Sequence, residues 1–138
     1  MSHAAKQIRA WFVTSLTGVG GLPTARAGRP PQIAAGASAC YVTHGAETIT
    51  PMTIHDPRQD DRSLAVQVVL VAASLDAADA LSVLAEEAIE AATGAPAEVS
   101  LESREYDEEV ETDRVVVSIT LTYAATYIVA ANDVETIL

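Results

Sequence analysis

Residues 105–114 read EYDEEVETDR, six carboxylates in ten positions closed by a single arginine. The stretch is a cation site, a patch that catches a partner, or the turn of a hairpin, and the fold of the second half follows from the choice. A calcium loop needs oxygens at fixed steps, a glycine at its sharp turn and a closing bidentate glutamate. EYDEEVETDR has no glycine and no D-x-D-x-D-G run. A catalytic carboxylate pair needs two acids in unlike environments, at least one partly buried, and a loop between two strand patterns stands in water. The hairpin reading accounts for both flanks. Upstream, AEVSLESREY (97–106) puts Val99 and Leu101 on one face and Glu98, Ser100, Glu102 and Arg104 on the other. Downstream, RVVVSITLTYAATY (114–127) puts Val115, Val117, Ile119, Leu121 and Tyr123 on one face, with Val116, Ser118, Thr120 and Thr122 opposite. The sequence thus predicts a hairpin whose tip runs from Tyr106 to Arg114, its charge blocking edge-to-edge pairing.

The rest of the chain supplies partners for that hairpin. LAVQVVLVAA (64–73) is apolar on both faces except at Gln67, which predicts a central strand. HDPRQDDRS (55–63) before it is turn chemistry throughout. SACYVTHGAETITPMTI (38–54) predicts two short strands around His44-Gly45, the second demoted to an edge or bulged strand by Pro51. Two helices complete the set. Between Ser2 and Thr17, Ile8, Trp11, Phe12, Ser15 and Leu16 recur at helical spacing, with Ser2 to cap the start and Gly18 to end it. Trp11 and Phe12 are the bulky pair expected to anchor this helix on a sheet. LDAADALSVLAEEAIEAATG (75–94) predicts a second helix begun by Ser74 or Asp76 and stopped at Gly94 before Pro96. Its expected inner stripe is Ala77, Leu81, Leu84, Ala88 and Ala92, with Ala80 and Ile89 beside it. The segment 18–36, with five glycines and three prolines, is expected to be an irregular connection, and VAANDVETIL (129–138) a terminal tail, frayed or swapped onto a neighbour. The fold class is therefore α+β: a mostly antiparallel sheet of about four to five strands with two helices on one face, in a single domain over 1–138.

Composition narrows the function. The chain has 138 residues, 49% of them apolar, enough for one packed core. Its net charge of −11 has the wrong sign for a duplex-binding surface, and 4% aromatics leaves little to stack single-stranded bases on. The charge is uneven: residues 1–62 carry six basic and four acidic groups, net +2, and residues 63–138 carry two and fifteen, net −13. A chain with one mildly basic and one strongly acidic part attracts copies of itself head to tail. Cys40 is the single cysteine, so no intrachain disulfide or thiolate cluster forms, and it reads as a small hydrophobe in a strand. His3, His44 and His55 share no ligand spacing, and no G-x-S-x-G elbow or phosphate loop occurs. The expectation is no enzyme, no metal and no cofactor. No apolar run reaches bilayer length and the N-terminus lacks a signal-peptide core, so no membrane role is expected.

The order KQIRAWFVTSL (6–16), DDRSLAVQVVLVA (60–72), LDAADALSVLAEEAIEAA (75–92), VSLESREY (99–106), an acidic stretch and RVVVSITLTYAATY (114–127) resembles one family. This is the bacteriophage tail terminator family, also called tail completion or minor tail protein U-like, and the likeness covers most of residues 3–127. The resemblance implies a virion protein of the tail or neck, assembled in the host cytoplasm. It implies a homo-oligomeric ring, usually a hexamer, that binds the head-proximal end of the tail tube protein, stops its polymerisation and offers a surface to the head connector or stopper protein. DNA would pass through the lumen without specific binding. A ring is what a head-to-tail interface yields when its rotation closes. From the charge split, Arg26, Arg29, Arg58 and Arg62 are expected to face acidic groups of the neighbouring subunit. Asp107, Glu108, Glu109 and Glu111, in the stretch Asp107 to Asp113, are expected to point along the ring axis or into the lumen, and residues 128–138 to arm a partner. Two alternatives stand beside this reading: a head–tail connector or stopper, which docks on the portal side, and a small-molecule-binding α+β module. A small hydrolase lacks a nucleophile and base.

Overall fold

The computed structural model describes residues 3–30, 37–51, 59–111, 114–130 and 133–137. The elements are α1 (His3–Leu16), β1 (Ala25–Ala27), β2 (Ala39–Pro51), β3 (Gln59–Ala72), α2 (Leu75–Ala91), β4 (Glu98–Glu111), β5 (Arg114–Ala130) and β6 (Asp133–Ile137). The strands form one sheet in the order β1-β2-β3-β5-β4, with β6 paired to β5. Only the β1–β2 pairing is parallel. Both helices lie on one face of this sheet, so the molecule is the expected two-layer α+β fold.

Alternation along the strands builds the core. Val42 from β2, Leu64, Val66, Val68 and Leu70 from β3, and Val117, Ile119, Leu121 and Tyr123 from β5 all turn to the helix face and are buried. α1 meets them with Ile8, Phe12 and Leu16, the spacing its sequence predicts. Phe12 is fully buried, its ring 5.3 Å from that of Tyr123 and 5.1 Å, edge to face, from that of Trp11. Each such aliphatic or aromatic side chain contributes about 1.5–3 kcal/mol on burial. Gly18, at a φ of 78°, takes the left-handed conformation just past α1, as expected; the cap expected of Ser2 lies outside the described residues.

β3 is the central strand that LAVQVVLVAA predicts, and it begins earlier. Of the expected turn, Asp60–Ser63 pair with β2 on one side, and Gln59–Ser63 pair with β5 on the other. Residues 52–58 of that expected turn lie outside the described residues. The two short strands expected in 38–54 are one strand, whose register shifts between His44 and Glu47. Pro51 ends β2 where β1 no longer covers it, because β1 pairs only with Cys40–Val42. The glycine- and proline-rich connection does contain that three-residue strand. The tail is also more ordered than expected: residues 128–130 continue β5, and β6 folds back on it with Ile137 against the core.

α2 starts at Ser74, whose hydroxyl accepts from the Ala77 N–H at 3.2 Å. Its inner face is Ala78, Leu81, Ser82, Ala85 and Ile89, which keeps Leu81 and Ile89 of the expected set and leaves out the rest of the stripe read from the sequence. Alanine recurs on nearly every side of this helix, so apolar character alone does not choose a face. Tertiary fit chooses it, and Leu84 packs over the loop at Gly21 instead. A Cβ on Gly21, which has a φ of 91°, would stand 3.0 Å from Leu84 Cδ1.

Candidate functional site

β4 is the edge strand of the sheet, and it holds most of the acidic stretch. Asp107 to Glu111, expected in the loop tip, are paired strand residues opposite Ser118 to Arg114; residues 112–113 lie outside the described residues. The backbone of β5 thus organises the carboxylates. Glu105, Asp107 and Glu109 share one face with Ser118 and Thr120, while Tyr106 and Glu108 turn to the other. Open edge strands invite pairing, and charge along one prevents it.

An irregularity between Leu101 and Ser103 re-aims everything after it. Glu102 is the extra residue, and a one-residue slip exchanges the two faces of a strand. Arg104, expected to share the outer face with Glu98 and Ser100, therefore stands opposite Leu121 on the helix side. There its guanidinium donates to Asp79 Oδ1 at 2.9 Å, to Glu86 Oε2 at 3.0 Å and to the Ser82 hydroxyl, all from α2. Its Nε donates to the Tyr106 hydroxyl at 3.1 Å. This clamp ties the edge strand to the helix layer. Its sequence signal is that Arg104 is the one cation between residues 63 and 113.

Of the four arginines expected at an interface, the three that are described are not gathered together. Arg26 is exposed on β1, and Arg29 is exposed just beyond it. Arg62 lies on β3, 3.6 Å from Glu47 Oε2, and Glu47 also accepts from the Tyr127 hydroxyl. Arg26 aligns with Tyr41 and so with Val69, which is seven residues along β3 from Arg62, roughly 23 Å at strand rise. Arg58 lies outside the described residues. Arg29 does share a concavity with the acids. It lines a trough of about 380 Å³ on the sheet's second face, with Glu105, Asp107 and Glu109 on the far wall and Tyr41, Val69 and Val71 among the floor. Burial pushes the Tyr41 hydroxyl up, and Arg29 draws it partly back. Gln67, the one polar interruption of β3, accepts from the Thr43 hydroxyl at 3.3 Å on this face.

Cys40 is 1% exposed, and burial pushes its thiol up to about 11, so at neutral pH it packs as a hydrophobe. His55 and the side chain of His3 lie outside the described residues. Among the described residues, no three of His, Cys, Asp and Glu stand together as a metal site, and no helix is long and apolar enough to cross a membrane.

No family model and no curated protein matches the sequence. Among solved structures, the chain is similar to one in the virion of a native gene transfer agent particle, with a TM-score of 0.41 and 18% identity, over 89% of this chain and 90% of that one.

Proposed function

We infer that the protein is a structural assembly protein of a phage particle and not an enzyme: a tail terminator that closes into a ring on the head-proximal end of the tail tube. The observation that carries this reading is the placement of charge. The exposed cations Arg26 and Arg29 stand at the β1 edge, and the carboxylates of Glu105, Asp107, Glu108 and Glu109 crowd the opposite edge of the same sheet. Two unlike edges on one rigid sheet favour a head-to-tail contact, which generates a ring when its rotation closes. The resemblance in element order supplies the particular role, ending the tube and presenting a surface to the head connector. Arg62, held by Glu47 of its own chain, supports the fold of the β2–β3 pair in this reading.

The test is the particle mass of the purified chain by native mass spectrometry, alone and mixed with its tail tube protein. A closed ring, or a monomer that becomes a ring only on tube ends, is the expected result. A monomer indifferent to tubes that instead joins connector proteins replaces this reading with a head–tail stopper.

A further inference from the structure

Between the last turns of α2 and the β4 edge lies a cleft of about 400 Å³. Its walls are Trp11 of α1, Glu86, Ile89 and Glu90 of α2, Leu101 of β4 and Tyr123 of β5. Three observations distinguish it from a packing gap. Tyr123 is 3% exposed, yet its hydroxyl has no hydrogen-bond partner among the described residues. A buried hydroxyl left unmade is costly, which favours an occupant able to satisfy it. Trp11 is held in place, its indole N–H donating to the Thr93 carbonyl at 3.0 Å. Leu101 is 40% exposed on the helix side of β4, so an apolar wall is left uncovered.

The charge around the cleft specifies what fits. Asp79, Glu86 and Glu90 stand against Arg104, an excess of two carboxylates. Arg104 engages Asp79 and Glu86, while Glu90 makes no ion pair among the described residues. The complementary group is an apolar stem ending in a cation. The stem would lie along Ile89 and Leu101, and the head would meet Glu90 and the aromatic faces. An anion would be repelled, and a neutral apolar group would leave the carboxylates desolvated without a partner.

The chain carries such a group at the far edge of its own sheet. Arg26 is exposed on β1 and makes no ion pair among the described residues. We propose that the cleft receives Arg26 of a second copy of this chain, so that the β1 edge of one molecule docks against the α2–β4 edge of the next. The geometry of docking rests on the ring reading above; the cation chemistry of the cleft does not.

Trp11 is the only tryptophan, so its emission reports on the cleft directly. The full chain carrying Arg26→Gln, which cannot donate its own cation, is titrated with the peptide LPTARAG, residues 22–28. A saturable emission change is expected, weakened about tenfold when the peptide carries Arg26→Gln or the protein carries Glu90→Gln as well. In parallel, Leu101→Arg, a change at an exposed position, fills the cleft with a resident cation and is expected to lower the particle mass to that of the monomer. Equal binding of the two peptides overturns the proposal. So does a ring whose mass survives Leu101→Arg, an outcome that leaves the ring reading standing. A wild-type chain that stays monomeric, with or without tube protein, while the peptide binds through Arg26, does the reverse: it upholds the cleft and overturns the ring.

Discussion

Two buried groups give the folded protein a defined response to alkali. Cys40 ionises at about 11 when folded against 9.0 when free, and Tyr123 at about 12 against 10.0, both held up first by burial. The folded state keeps these protons longer than the unfolded chain does. Their stabilising effect is therefore complete below pH 9 and is lost as pH rises through the folded values. Cys40 alone is worth about 2–3 kcal/mol across that window, at 1.36 kcal/mol for each pH unit of displacement. Urea midpoints are expected to be flat from pH 7 to 9 and to fall steeply by pH 11; Cys40→Ala should lower the plateau and make the fall shallower. An equally steep fall in the variant would remove Cys40 as a cause. Arg104 acts through partners. Replacing it by Met keeps the stem and removes the head, leaving Asp79 and Glu86 facing each other without a cation. Because the side chain is 25% exposed, the expected loss is about 1–2 kcal/mol and shrinks in high salt. Denaturation at low and high ionic strength checks both statements.

Elements differ in how openly the sequence declares them, and β4 shows why. Alternation gives its two faces correctly as far as Leu101 and then fails, because nothing in VSLESREY marks Glu102 as an unpaired residue. The bulge makes a prediction of its own. Deleting Glu102 leaves Leu101 opposite Tyr123 and Ser103 opposite Thr122, so both faces and the Arg104 clamp survive. Thermal unfolding of that deletion is expected to stay within about 1 kcal/mol of wild type, and adding Arg104→Met to it should cost what it costs in the wild type. A deletion that makes the second change neutral would show that the clamp depends on the bulge. β3 was legible because nine apolar residues in ten positions admit a buried strand and little else. α1 was legible because one bulky stripe, Ile8, Phe12 and Leu16, stands against polar neighbours. The α2 face was not, since a helix of alanines has no single greasy side and tertiary fit decides. β1 was invisible: three residues among glycines and prolines become a strand only because Cys40–Val42 lie beside them. In the candidate site, the acidic row is plain in the sequence and its backbone is not, for charge says nothing about whether a stretch is loop or strand. The cleft at Trp11 and Tyr123 could not be read at all, as it exists only where four separate elements meet.

At the scale of the whole molecule, a net charge of −11 is compatible with a protein that DNA passes without adhering. The two faces of β4 carry different carboxylates. Asp107 and Glu109 lie on the trough face, away from the helices, whereas Glu108 shares its face with Tyr106 and the clamp. If the trough face lines the path of DNA in a ring, its carboxylates repel phosphates and its neutralisation should matter there alone. Asp107→Asn combined with Glu109→Gln is then expected to raise retention of double-stranded DNA by assembled particles at low salt, with particle mass unchanged. The gain should vanish near physiological ionic strength, because a lost repulsion between exposed charges is screened within a Debye length of about 8 Å. Glu108→Gln serves as the matched control, one charge removed from the other face, and should leave retention as it was. Retention assayed by co-sedimentation across a salt series distinguishes the outcomes. Equal gains per charge removed in the two variants would mean that net charge alone repels DNA, and a drop in particle mass with the double variant would assign these carboxylates to the subunit interface.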